Sequence, residues 1–197
     1  TRLEVAWTIA PALVLAVIAV PTIQAIVDTA NPPSGTMEVR VVAHQWWWEF
    51  SYPEYNVTTA NELVVPVNTR INLKLESDDV IHSFWIPNLM GKLDMIPRNV
   101  NETWFVANEP GIYKGQCAEF CGTAHTQMRF RVIVQTKEGF DGWVSAYSRP
   151  PIEPTGQAAS GKQLFEGKGG CTLCHSKEGP GNPALREQLR QTFLDGG

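Results

Sequence analysis

Apolar positions along this chain follow two different rhythms. From Val5 to Val27 they run almost unbroken, in Ala, Val, Ile and Leu, and no charged residue falls between Glu4 and Asp28. About 20 apolar residues cross roughly 30 Å of hydrocarbon, so the run predicts a transmembrane helix within residues 1–30. Pro11 and Pro21 interrupt it, which a membrane helix tolerates better than a soluble one. A buried core helix and a signal peptide are the bland readings. A signal peptide, however, opens on basic residues and has a shorter apolar core, whereas here the acid Glu4 leads. The helix starts almost at residue 1, and Thr1 is not an initiator Met, which reads as a processed or partial piece.

After the breaker cluster Asn31-Pro32-Pro33-Ser34-Gly35 the rhythm changes to short alternating stretches. Ile71-Asn72-Leu73-Lys74-Leu75-Glu76 is the clearest case. The alternation predicts strands at Met37–Ala43, Trp46–Tyr52, Leu63–Val67, Ile71–Glu76, His82–Ile86, Thr103–Ala107, Gly111–Tyr113 and Met128–Gln135. Many short strands with frequent turn residues point to a β-sandwich or barrel over 36–147 rather than βαβ units. A short helix is expected at Phe140–Tyr147. Residues 148–157 are Pro-rich and read as a semi-rigid linker. Ala158–Glu166 then reads as a helix opening a small segment, 158–197. The expected fold class is therefore mainly β, with a membrane helix in front and a partial all-α domain behind.

Composition adds two points. Seven Trp is rich for 197 residues, and a net charge of −4 makes nucleic acid an unsuitable partner and a basic protein a suitable one. The four Cys form two tight pairs, Cys117/Cys121 and Cys171/Cys174, which suits cofactor sites better than a disulfide framework.

Residues 113–128 read Tyr-Lys-Gly-Gln-Cys-Ala-Glu-Phe-Cys-Gly-Thr-Ala-His-Thr-Gln-Met. Cys117, Cys121, His125 and Met128 are spaced by four, four and three, which returns soft sulfur and imidazole donors to one side of a compact loop. Thiolate with thioether favours copper, because structural zinc sites use Cys and His. A single blue-copper ion takes one Cys, two His and a Met. Two Cys allow a second ion sharing both sulfurs, given one more His, and His82 on the strand His-Ser-Phe-Trp-Ile-Pro is the candidate. Taken alone, a Cys-x3-Cys pair would read as a disulfide or half a zinc site.

This stretch resembles the CuA loop of cytochrome c oxidase subunit II, Gly-Gln-Cys-x-Glu-x-Cys-Gly-x-x-His-x-x-Met, matched from Gly115 to Met128. Asp79-Val80-Ile81-His82-Ser83 is similar to the family's upstream ligand motif. The resemblance implies a cupredoxin-like domain and a dicopper centre held by His82, Cys117, Cys121, His125, Met128 and the Glu119 carbonyl. It also implies a Glu119 side chain helping to hold magnesium against subunit I. His44-Gln45-Trp46-Trp47-Trp48 resembles the family's aromatic strand, in which Trp46 receives the electron from cytochrome c; without the copper loop it would read as packing. Leu3–Pro11 resembles the start of the family's second transmembrane helix, which makes Glu4 a candidate for the mouth of a proton channel. One departure stands out: the family's Ile-Pro-Gly-Arg is replaced by Ile96-Pro97-Arg98-Asn99, which puts that Arg's contact with subunit I in question.

Cys171-Thr172-Leu173-Cys174-His175 is the c-type haem signature, two thiols for two vinyl groups and an adjacent axial imidazole. The stretch is similar to class I cytochromes c. Only 22 residues follow His175 and none is Met, so the distal ligand has no candidate. Fusion of haem c to subunit II resembles bacterial caa-type oxidases. That resemblance implies an electron relay to subunit I for oxygen reduction and proton pumping. Cytochrome c or a quinol-oxidising complex would be the donor, and further oxidase subunits and membrane lipid the neighbours. It also implies a bacterial cytoplasmic membrane with both cofactor domains on the outer, periplasmic side. Acids outnumber bases nine to five over residues 51–128, which suits a basic donor or a solvated face. Two other readings are a membrane-anchored electron carrier serving another reductase and a module holding structural zinc. A quinol oxidase subunit would need no copper ligands here.

Overall fold

The computed structural model describes residues 1–30, 37–149, 152–169 and 171. Helix α1 (Arg2–Ala30) spans 29 residues, about 43 Å at 1.5 Å per residue, enough to cross a bilayer with some tilt. Its apolar side chains are exposed all round, from Leu3 through Leu15 to Ile26, so no stripe marks a soluble core face. Pro11 and Pro21 each free a carbonyl one turn back. Near them the hydroxyls of Thr8 and Thr22 donate to the Glu4 and Ile18 carbonyls, both at 2.8 Å.

Ten strands follow: β1 (Met37–His44), β2 (Trp47–Tyr52), β3 (Val57–Ala60), β4 (Glu62–Pro66), β5 (Arg70–Ser77), β6 (His82–Trp85), β7 (Leu93–Met95), β8 (Asn101–Val106), β9 (Gly111–Cys117) and β10 (Arg129–Gln135). They form two five-stranded sheets, ordered β3-β2-β1-β5-β8 and β4-β10-β9-β6-β7. Each sheet contains one parallel pair, β1 with β5 and β4 with β10; the other pairs are antiparallel. Alternation does the sorting. Val39, Val41, Leu73 and Leu75 face inward from the first sheet, and Leu63, Val65, Phe84, Phe130 and Val132 from the second, all buried. This is the cupredoxin-like sandwich expected from the sequence.

Two strands, β3 and β7, were not expected, and β9 runs four residues past Tyr113. Turn chemistry fits the rest. Asn56, Asn61 and Asn68 take left-handed φ of 50°, 59° and 55° at successive connections, a conformation Asn tolerates. Helix α2 (Lys137–Tyr147) starts three residues earlier than expected, because the Thr136 side chain caps it by accepting from Gly139 N–H at 3.2 Å. Phe140 and Trp143 of α2 cover the open end of the sandwich against Tyr55 and Tyr52. Helix α3 (Gln157–Glu166) follows the linker. Cys174 and His175 lie outside the described residues, as do the breaker cluster at 31–35 and most of the expected haem segment.

Candidate metal centre

Strand pairing gathers the donors. Phe84 of β6 stands opposite Cys117 of β9, which places His82 beside the sulfur. The β9–β10 hairpin closes a loop whose ends meet, with Cys117 N–H donating to the Met128 carbonyl at 3.0 Å. Inside that loop a single 3-10 turn, His125–Gln127, swings His125 and Met128 back over the cysteines. Ala118 N–H donates to the Ser83 carbonyl at 2.9 Å and ties the loop to β6.

The resulting spacing is tight. The two thiols are free, with sulfurs 3.8 Å apart. His82 Nδ1 lies 3.8 Å from Cys117 Sγ, His125 Nδ1 3.5 Å from Cys121 Sγ, and Met128 Sδ 3.7 Å from Cys121 Sγ. The Glu119 carbonyl is 3.1 Å from Cys117 Sγ. The donor atoms of His82, Cys117 and Cys121 all lie within 4.8 Å of one another. His82, Cys117, Cys121 and Met128 are buried, whereas His125 is half-buried. Below them Phe84 and Phe130 stack at 4.7 Å, and Trp48 packs edge-on against Phe84 at 5.3 Å, a stiff aromatic floor.

The charges match a thiolate site. Burial alone would raise the Cys117 thiol, but hydrogen bonds with His82, the Ser83 and Glu119 backbone and the Cys121 thiol bring its pKa down to about 6. Burial and the neighbouring Cys117 charge push Cys121 up to about 12. One proton is thus given up readily and the other is held until something replaces it, the behaviour of a thiol pair awaiting a cation. Burial opposes a charge on His82, yet Asp79 and Cys117 outweigh it and raise its pKa.

Soft sulfurs, two imidazoles and a carbonyl fit copper and leave no oxygen cage for a hard cation. The sequence expectation of six donors at 82, 117, 119, 121, 125 and 128 coincides with the group the fold brings together. Two neighbours of the site lie in motifs quoted from the sequence but were given no role of their own there. Asp79 Oδ1 sits 2.7 Å from His82 Nε2, the ring nitrogen facing away from the sulfurs. Gln45 Nε2 donates to the Cys121 carbonyl at 2.7 Å. Asp79 opens the motif Asp79-Val80-Ile81-His82-Ser83 and Gln45 precedes Trp46 in the aromatic strand, but neither pattern tells what the side chain touches.

Trp46 lies at the β1–β2 turn, half-buried, with its indole N–H donating to the same Cys121 carbonyl at 3.1 Å. The Glu119 side chain is exposed at the loop tip beside Phe120, which is 76% exposed. Glu4 lies in the first turn of α1, exposed, and Cys171 is exposed at the far end of the described chain. Arg98 occupies a left-handed position (φ 67°) where the family pattern has Gly, and with Ser77, Asp78, Asp79 and Pro97 lines a surface hollow of about 400 Å³.

A β-sandwich carrying thiols, imidazoles and a thioether at one end defines a copper-site domain of the cupredoxin class. Residues 56–136 match the family described as cytochrome c oxidase subunit II, periplasmic domain. Over 191 residues the chain is 39% identical to cytochrome c oxidase subunit 2 of Alkalihalophilus pseudofirmus, covering 93% of this chain and 56% of that protein. It is 32% identical over 165 residues to the subunit 2 of Rhipicephalus sanguineus, covering 74% of this chain and 73% of that one. The crystal structure of the periplasmic domain of subunit II of cytochrome oxidase from Bradyrhizobium japonicum superposes with a TM-score of 0.57 at 32% identity, over 59% of this chain and 96% of that domain. This chain belongs to the cytochrome c oxidase subunit II family. It spans about half the length of the first curated relatives it matches, 56% and 53%.

Proposed function

We propose that this chain receives electrons at a dicopper centre and passes them to the oxygen-reducing subunit of a haem-copper oxidase. The observation that carries this reading is the convergence of four further donors on two unlinked thiols, with Trp46 hydrogen-bonded to the same loop. His82, Cys117, the Glu119 carbonyl, Cys121, His125 and Met128 would hold the metal. When bound there, a copper pair would supply a one-electron store. The protein's own residues do the rest. Asp79 fixes which imidazole nitrogen faces the sulfurs, and the aromatic floor keeps water out and geometry fixed. Trp46 gives an incoming electron a short bonded route to Cys121.

In this reading α1 anchors the domain in a bacterial cytoplasmic membrane, with 36–147 outside it and 148–157 as a tether. Residues 158–197 carry haem c through Cys171, Cys174 and His175, as in caa-type oxidases. A tethered haem raises the effective concentration of the donor at the copper face. Subunit I and other oxidase subunits are the partners, and cytochrome c or a quinol-oxidising complex is the ultimate donor. Glu119 helps to hold magnesium at the subunit I boundary, Glu4 stands at the mouth of a proton channel, and proton pumping accompanies oxygen reduction in the partner.

Metal analysis with electron paramagnetic resonance tests the copper reading. Two coppers per chain sharing one unpaired electron are expected; one zinc per chain, or Cys117 cross-linked to Cys121, would overturn it. A pyridine haemochrome spectrum tests the haem: Cys174→Ser should convert a two-thioether spectrum to a one-thioether one. Co-purification with a haem-bearing membrane subunit separates an oxidase from a carrier serving another reductase.

A further inference from the structure

The β1–β2 turn does more than present an indole to the copper loop. Gln45 N–H donates to Asp79 Oδ2 at 2.6 Å, and the other oxygen of that carboxylate lies 2.7 Å from His82 Nε2. The Gln45 side-chain amide donates to the Cys121 carbonyl at 2.7 Å, where the Trp46 indole N–H also donates at 3.1 Å. One residue of the β1–β2 turn therefore grips both the carboxylate that orients His82 and the carbonyl of Cys121. A carbonyl oxygen has two lone pairs, and the donors Gln45 and Trp46 take one each.

Gly122 shows that the contact is built closely. A methyl group there would sit 3.0 Å from Trp46 Cζ2 and 3.1 Å from Gln45 Nε2. The bare α-carbon lets indole and amide lie against the loop backbone. Trp46 is half-buried, so water competes for its N–H, whereas a carbonyl already fixed by the amide presents its second lone pair in a constant direction.

We infer that Gln45 is a positioning residue: its side-chain amide aims the Cys121 carbonyl at the Trp46 indole and so keeps the path between them bonded. The functional consequence rests on the proposed electron-accepting role of Trp46; the geometric claim does not. Gln45→Met keeps the chain length and the backbone N–H to Asp79 while removing the side-chain donor.

The test uses the full, metal-free chain in detergent with ¹⁵N-labelled tryptophan, the Trp46 indole signal being assigned by its loss in Trp46→Phe. Hydrogen exchange of that indole N–H should quicken about ten-fold in Gln45→Met, the size expected from losing one hydrogen bond, with the Trp48 signal unmoved. After copper loading, metal content and visible band positions should match wild type, while reduction by a photoexcited ruthenium complex slows several-fold. Unchanged Trp46 exchange would overturn the inference. So would a fall in copper content, because Gln45 would then be general support for the loop. A wild-type chain that binds no copper would sink the proposed function and still leave the indole measurement to decide this point.

Discussion

Replacing Gly122 by Ala puts the closest contact of the site under load. The added methyl would stand 3.0 Å from Trp46 Cζ2 and 3.3 Å from its Nε1, whereas carbon pairs rest at about 3.5–4.0 Å. The indole must retreat by roughly half an ångström or more, at an overpacking cost of about 1–3 kcal/mol. The backbone adds its own penalty, since φ at Gly122 is +118° and an L-residue there loses about 1–2 kcal/mol. Alanine stiffens the unfolded chain and recovers about 0.4–1 kcal/mol of this. A net loss of about 3 kcal/mol lowers the midpoint of a domain this size by roughly 10 °C. Thermal unfolding of the metal-free chain, followed by tryptophan fluorescence, measures it. Gly142→Ala is the matched control: that residue lies inside α2 with open space at its α-carbon, so the same substitution should raise stability by about 0.5–1 kcal/mol. A Gly122→Ala chain melting within about 2 °C of wild type would refute the claim that indole and loop are in forced contact.

Asp79→Asn should weaken copper binding about 10–100-fold, because His82 loses the carboxylate that fixes its ring; competition with a copper chelator reads the change, and unaltered affinity would remove Asp79 from the site. Met128→Leu should keep copper bound but shift its reduction potential, measured by redox titration, with complete metal loss the contrary result. In the metal-free chain one thiolate should titrate near pH 6 by its ultraviolet absorbance, and Cys117→Ser should abolish that step. The sign follows from the lowered pKa. Ionised Cys117 favours the folded state fully above the free-thiol value near 9, and that contribution is lost as pH falls to about 6; Cys121, with its raised pKa, opposes folding as pH climbs from about 9 to 12.

Local pattern made much of this fold legible. The uninterrupted run at 5–27 and the alternation at 71–76 translate directly into α1 and β5, since membrane span and pleat each impose a period. Strands β3 and β7, at four and three residues, are too short to show a period and exist because a neighbouring strand supplies their hydrogen bonds. Gly139 hid the first turn of α2 by lowering its helix propensity, which the Thr136 cap and the Phe140 anchor override. The ligand loop was readable because its donors lie within twelve residues. The contacts of Gln45 were not, since it meets Asp79 across 34 residues and Cys121 across 76, separations set by the packing of two sheets.

The way the sandwich closes also sets a race during biosynthesis. Cys117 and Cys121 hang on a local hairpin, whereas β1 must find β5 and β4 must find β10 across long stretches of chain before the aromatic floor is complete. Such distant pairings form slowly, on the order of milliseconds to seconds. For that interval two neighbouring sulfhydryls stand unshielded. An oxidant arriving then would join Cys117 to Cys121, whereas in the closed sandwich both thiols are buried and stay separate.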